Sequence, residues 1–221
     1  MTKTRSSPYN ITFLLDNSNN WIESHLKKSN KFLNNKKFSF EISHNHSDIN
    51  GQDIVFILGY TKILDSEFLG RNKLNLVVHE SDLPQGKGFA PVQWQLLEGK
   101  NSIPICLIEA SENVDAGDIL FSSTIEFNGL ELYDEIRLGQ ANATFTLIES
   151  FLIDYPNFKR KKQEGNESFY KKRGKKDGQI DINKSIIEQF NLLRIGNNEG
   201  WPSHFQIDGQ AYILKIYKDE N

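Results

Sequence analysis

The residues best suited to chemistry stand in two stretches, "VVHESDLPQGKGFAPVQW" (77–94) and "ENVDAGDIL" (112–120). His79 closes an apolar run and precedes a Pro, two glycines and Lys87. An imidazole is the side chain whose proton moves most readily near neutrality. A carboxylate beside it fixes the tautomer through one ring nitrogen and leaves the other for proton transfer. Asp115 and Asp118, in a turn with Gly117, are the acids on offer. Acidic turn residues often serve only the turn, and Asp118 is read that way. His44 and His46 form H-x-H, but no Cys or further His, Asp or Glu cluster completes a metal ligand set. His25 and His204 are assigned no function.

The elements that must carry these groups follow from periodicity. Strands are predicted at 11–16, 38–43, 53–60, 74–81 and 103–110, with a further extended segment at 117–127. Helices are predicted at 19–33, 61–69 and 90–99, the last closed by Gly99, and a long one over 130–155. The alternation predicts an α/β fold, a Rossmann-like wound and mostly parallel sheet in residues 1–155. His79 then falls at the carboxyl end of the fourth strand, where such sheets bind ligands, and Asp115 follows the fifth at the corresponding edge. Glu80 points to the opposite strand face and reads as a surface residue.

Residues 156–221 change character. "FKRKKQEGNESFYKKRGKKDGQID" (158–181) is dense in Lys and Arg and reads as a crossing loop. A short helix (183–195) and a β-hairpin around the Asp-Gly of 203–219 complete a small C-terminal appendage. The full chain of 221 residues carries a formal net charge of −3, which predicts no general affinity for nucleic acid. Its single cysteine, Cys106, reads as a buried apolar filler. The N-terminal residues do not read as a signal peptide, and no window approaches the roughly 18 apolar residues a membrane span needs, so a cytoplasmic protein is expected.

The segment from His79 to Leu120 resembles the formyl-tetrahydrofolate-dependent formyltransferases, whose pattern is H-x-S-x-L-P, a basic residue before Gly, P-x-x-W and D-x-G-D. His79, Ser81, Leu83, Pro84, Lys87, Gly88, Pro91, Trp94, Asp115, Gly117 and Asp118 occupy those places. The resemblance implies transfer of a formyl group from formyl-tetrahydrofolate to an amine, with His79 and Asp115 catalytic. The upstream "FILGYTKILDSEFL" is similar to the strand and loop that contact the folate. It implies donor contacts at Leu58, Gly59 and Tyr60, joined by Asn113 and Val114. One place departs from the pattern. The family's Asn two residues before the histidine is Val77 here, and valine has no donor for the formyl oxygen. Asn75, on the same strand face, starts on the order of 13 Å from His79 at about 3.3 Å per residue.

Three acceptor classes are weighed. Methionyl-tRNA formyltransferases carry a sizeable basic C-terminal domain, which the short appendage and negative net charge do not match. Glycinamide ribonucleotide formyltransferases hold phosphate on a glycine-rich loop after the first strand, whereas "LDNSNNW" has no glycine. "FYKKRGKKDGQIDINKSIIEQFNLLRI" is similar to a segment of the sugar N-formyltransferases, which act on nucleotide-linked amino sugars of surface polysaccharides such as O-antigen lipopolysaccharide. That class is preferred. It implies substrate contacts at Ser81, Lys87, Trp94, Tyr170, Arg173 and Trp201, with Lys171 and Lys172 adding charge. No metal, nucleic acid or membrane partner is expected, and the family's habit implies a homodimer. The alternatives are another amine formyltransferase, a hydrolase releasing formate, and a non-catalytic folate- or nucleotide-binding module.

Overall fold

The computed structural model describes residues 7–16, 21–28 and 36–219. Loop residues 17–20, weighed above for anion binding, and the part of the expected first helix beyond residue 28 lie outside them. Six strands form the central sheet: β1 (Tyr9–Leu14), β2 (Phe38–Ser43), β3 (Ile54–Ile57), β4 (Asn75–His79), β6 (Ser102–Glu109) and β7 (Ile119–Glu126). Their spatial order is β2-β1-β3-β4-β6-β7. The first four run parallel, as the sequence predicts, and β6 runs antiparallel to both of its neighbours.

The direction of β6 corrects the expectation that its loop opens at the same edge as His79. The chain leaves β4 at His79 and forms the two-residue β5 (Lys87–Gly88) and helix α3 (Pro91–Leu97) before entering β6. At 1.5 Å per residue α3 is only about 10 Å long, too short to return the chain to the far edge of the sheet. β6 therefore starts at the His79 end and descends, pairing Cys106 with His79 and Glu109 with Leu76.

Helices cover both faces. The preceding ones are α1 (Trp21–Lys28) and α2 (Ser66–Arg71), the latter capped by Asp65 accepting from the Phe68 amide at 2.9 Å. The long α4 (Tyr133–Asp154) packs Ile136, Phe145, Ile148 and Phe151 against Phe13, Phe56, Leu76 and Leu107. Each such fully buried side chain contributes about 1.5–3 kcal/mol relative to exposure. The other face buries Leu14, Ile49, Val55, Ile57 and Phe68, with Val77 at its margin. α2 begins only at Ser66, so most of the predicted 61–69 helix is loop, and that loop borders the cleft described below.

Beyond α4 the basic stretch forms β8 (Phe169–Tyr170), parallel to β5. The expected 183–195 helix is regular only over α5 (Phe190–Arg194), after a turn of 3₁₀ helix. β9 (Ser203–Ile207) and β10 (Gln210–Leu214) make the expected hairpin. Asp208 and Gly209 at its tip take φ of 47° and 82°, the two positive values a type I′ turn requires. Among the described residues no helix is long and apolar enough to cross a membrane.

Candidate active site

His79 ends β4 almost wholly buried, and its ring is held from both sides. Nε2 lies 2.8 Å from the Gly86 carbonyl. A carbonyl only accepts, so Nε2 carries the hydrogen and donates. Nδ1 faces Asp115, with Oδ2 at 3.5 Å. Nε2 is thus tied to backbone rather than left free, and Nδ1 is the nitrogen on the Asp115 side.

Asp115 reaches this position by an indirect path. The β6–β7 loop begins beside the amino end of β4, where the Ala110 amide donates to the Asn75 carbonyl at 2.8 Å. Its carboxylate nevertheless sits at His79, so the loop folds back along the sheet face. The turn is tight. Asp115 has φ +51°, a left-handed conformation. A Cβ on Gly117 would stand 1.6 Å from the Glu109 carbonyl oxygen, so only glycine fits. The Gly88 amide completes the arrangement by donating to Asp115 Oδ2 at 2.8 Å. The backbone carbonyl of Asp118 accepts from the Glu109 amide at 3.0 Å as the loop enters β7.

A cleft of about 490 Å³ opens at this pair. One arm is lined by Leu58, Gly59, Tyr60, Leu64, Asn113 and Val114, which brings all five expected donor contacts together with His79 and Asp115. Ile63 and Val114 stand 89% and 62% exposed at its mouth, an apolar margin suited to a flat ring system. His46 Nδ1 meets the Tyr60 hydroxyl at 2.7 Å and orients that ring.

The other arm is polar, and sequence reasoning missed it. Glu80 is not a surface residue: it is half-buried, and its carboxylate accepts a hydrogen bond from Gln140 of α4. Burial pushes its pKa up from the ordinary 4.5, against the opposing influence of His79, Gln140 and Arg137. Arg137 donates to Gln140 Oε1 at 2.8 Å and lies 4.7 Å over the Trp21 ring. Trp21, Gln93 and Thr144 also line this arm. The signal was present in α4, where Arg137, Gln140 and Thr144 interrupt an apolar stripe at helical spacing.

None of the six expected substrate contacts lines the cleft. Lys87 is 2% exposed, its ammonium paired with Glu167 at 2.5 Å. Ser81 is buried behind the Gly86 turn. Trp94 stacks on Tyr170 with centroids 6.3 Å apart and donates to the Lys171 carbonyl at 2.9 Å. Burial and the hydrogen bond to Glu98 push the Tyr170 hydroxyl up to about 12. Arg173 donates to the Asp177 carbonyl and packs over Trp94. These contacts fasten the basic stretch to α3. Trp201 stands exposed at the appendage, where its amide donates to Asn197. Cys106 is buried as expected, and burial pushes its thiol up to about 12, with Glu80, Asp115 and Asp82 adding to the shift.

Comparison with known proteins gives this geometry a family. The formyl transferase family model matches residues 7–138, from β1 into α4 and across both halves of the site. The chain belongs to the formyl transferase family. The donor implied by the sequence, formyl-tetrahydrofolate, is the one this family uses. A methionyl-tRNA formyltransferase from Caldicellulosiruptor saccharolyticus is 33% identical over 76% of this chain and 54% of its own length. The chain thus spans about half the length of the curated relatives it matches. Among solved structures, a methionyl-tRNA formyltransferase from Clostridium thermocellum is 20% identical, covering 96% of this chain and 94% of its own with a TM-score of 0.80. A 4-N formyltransferase from Francisella tularensis is 16% identical, covering 96% and 99% with a TM-score of 0.72. At these identities the two structures share the formyltransferase fold.

Proposed function

We propose that this formyltransferase moves a formyl group from formyl-tetrahydrofolate to the amine of a nucleotide-linked amino sugar used for surface polysaccharide, in the cytoplasm. Residues 1–155 are the catalytic unit in this reading and 156–221 an appendage that braces it. The observation that carries it is the cleft's two unlike arms meeting at His79 and Asp115. The apolar arm suits the folate, and its formyl group supplies the electrophilic carbon. The polar arm suits a hydroxylated, anionic acceptor: Glu80 and Gln140 answer sugar hydroxyls and Arg137 answers phosphate. Solved structures that share this fold include a sugar N-formyltransferase from Shewanella sp., matched over 98% of its own length with a TM-score of 0.67, which is in keeping with this acceptor class.

The pair divides the work. At 3.5 Å, Nδ1 and Oδ2 are farther apart than the roughly 2.7–2.9 Å of a closed charge-assisted bond, so an amine nitrogen can sit within reach of both. Asp115 accepts the proton the amine loses on attack. Negative charge then develops on the former formyl oxygen, and Val77 offers it nothing. With Nε2 committed to Gly86, a proton on Nδ1 of His79 is the donor left for that oxygen. Collapse of the tetrahedral intermediate then breaks the carbon's bond to the folate nitrogen, which takes the proton held by Asp115 and leaves as tetrahydrofolate. Exposed Ile186, Ile187, Ile213 and Tyr217 supply apolar surface for a homodimer, which light scattering after gel filtration would register.

A second reading takes transfer RNA as acceptor, favoured by the 33% identical methionyl-tRNA relative. Incubation with formyl-tetrahydrofolate and, separately, a panel of amino sugar nucleotides and charged initiator tRNA, followed by mass spectrometry, decides between them. A formylated sugar supports the first reading, a formylated methionyl-tRNA replaces it, and formate release without either marks a hydrolase. Folate binding with no product in any arm marks a non-catalytic module.

A further inference from the structure

The lysine-rich stretch after α4 touches both halves of the His79–Asp115 pair. Gln163 Nε2 donates to the carbonyls of Asp115 and Gly117, each at 2.8 Å. Five residues later, Ser168 Oγ accepts the Gly86 amide at 2.9 Å, and the Ser168 carbonyl accepts the Lys87 amide at 2.9 Å. Gly86 is the residue whose carbonyl holds His79 Nε2. The stretch is anchored upstream as well. Arg160 pairs with Glu109 at 2.6 Å, and Lys161 exchanges two backbone hydrogen bonds with Ile119.

Asp115 needs such a hold. A non-glycine residue at φ +51° sits in a left-handed conformation that is held only where its surroundings impose it. Gln163 is the one side chain among the described residues that bonds to the Asp115 backbone. Two carbonyls demand two donors, and the Gln163 amide nitrogen has two. Its Oε1 is buried without a partner, so nothing rewards the flipped orientation.

We propose that Gln163 is a positioning residue: it fixes the loop that presents Asp115 and, through the short segment that runs on to Ser168, ties that loop to the turn holding His79. This rests on the proposed function only in taking the pair as catalytic.

The test compares Gln163→Ala and Gln163→Glu with the unaltered full chain, and uses exposed Lys162→Ala as a control. For Gln163→Ala, kcat is expected to fall on the order of 10- to 100-fold, as misplaced catalytic groups do, while tetrahydrofolate affinity and amine KM stay within about threefold. Gln163→Glu sets a carboxylate against two carbonyls, so its kcat relative to the unaltered enzyme should recover as pH falls and the acid regains a donor. Histidine ring ¹⁵N spectra at one fixed pH need no turnover. In Gln163→Ala the His79 Nδ1 signal should move toward its position in Asp115→Asn. Unchanged kcat, or an equal loss of kcat, folate affinity and melting temperature, overturns the proposal. Should the unaltered protein formylate no acceptor, the proposed function fails, and an unmoved Nδ1 signal in both variants of Gln163 overturns this inference independently.

Discussion

Asp115 presents a single oxygen, Oδ2, to two partners: the Gly88 amide at 2.8 Å and His79 Nδ1 at 3.5 Å. One contact is a closed hydrogen bond that fixes the carboxylate, and the other is a gap wide enough to admit the reacting amine. Asp115→Asn keeps the shape and removes the base. Turnover should drop about 10²- to 10⁴-fold, the usual worth of a positioned proton acceptor, with tetrahydrofolate binding retained. Single-turnover formylation and a binding titration measure the two effects separately, and equal turnover would remove Asp115 from the mechanism.

Val77 should be catalytically silent. It packs at the edge of two apolar clusters and donates to nothing. Val77→Ala therefore leaves kcat within about threefold while lowering stability by about 1–2 kcal/mol through lost packing. A large fall in kcat with a stable fold would mean that the valine shapes the site in a way its lack of a donor does not suggest.

Gly117 is the hinge on which the returning loop turns. In Gly117→Ala the new methyl collides with the Glu109 carbonyl, a backbone atom that cannot swing aside. The hydrogen bond from the Glu109 amide to the Asp118 carbonyl must break, and a loss of about 2–4 kcal/mol is expected in urea unfolding. Formylation should fall with it, because Asp115 lies two residues away. An unchanged urea midpoint would show that the loop has another way to turn.

Glu80 makes stability depend on pH in a fixed direction. Burial raises its folded-state pKa above the ordinary 4.5, so between those two values the native state holds more proton than the unfolded chain. Stability from this group is greatest in acid and declines as pH rises through that interval. Glu80→Gln removes the decline: the variant should melt higher than the parent at pH 8, and the gap should close near pH 4. A gap that stays constant across the range would refute the assignment.

Locally encoded features were legible in the sequence, and features set by distant contacts were not. The strand at 38–43, the Gly99 helix stop and the Asp-Gly hairpin each depend on a few adjacent residues, and each stands where periodicity or turn chemistry puts it. His79 and Asp115 were legible because they fall in a recognisable ordered pattern. The burial of Lys87 was not legible, since its glycine neighbours suggest an open turn while the partner that claims it, Glu167, lies 80 residues later. Glu80 does alternate away from His79, but that face is not solvent. α4 covers it, and strand alternation alone carries no word of a helix more than fifty residues downstream. The reversal of β6 likewise follows from the length of α3 rather than from anything in β6 itself.

The loop's backward path over the sheet has a mechanical consequence. The segment that bears the carboxylate is also the wall of the cleft, so the aperture cannot widen without drawing Asp115 off the imidazole. A bulky molecule that forces its way in would disarm the site as it enters, which makes the gauge that measures the guest and the trigger that acts on it one and the same piece of chain.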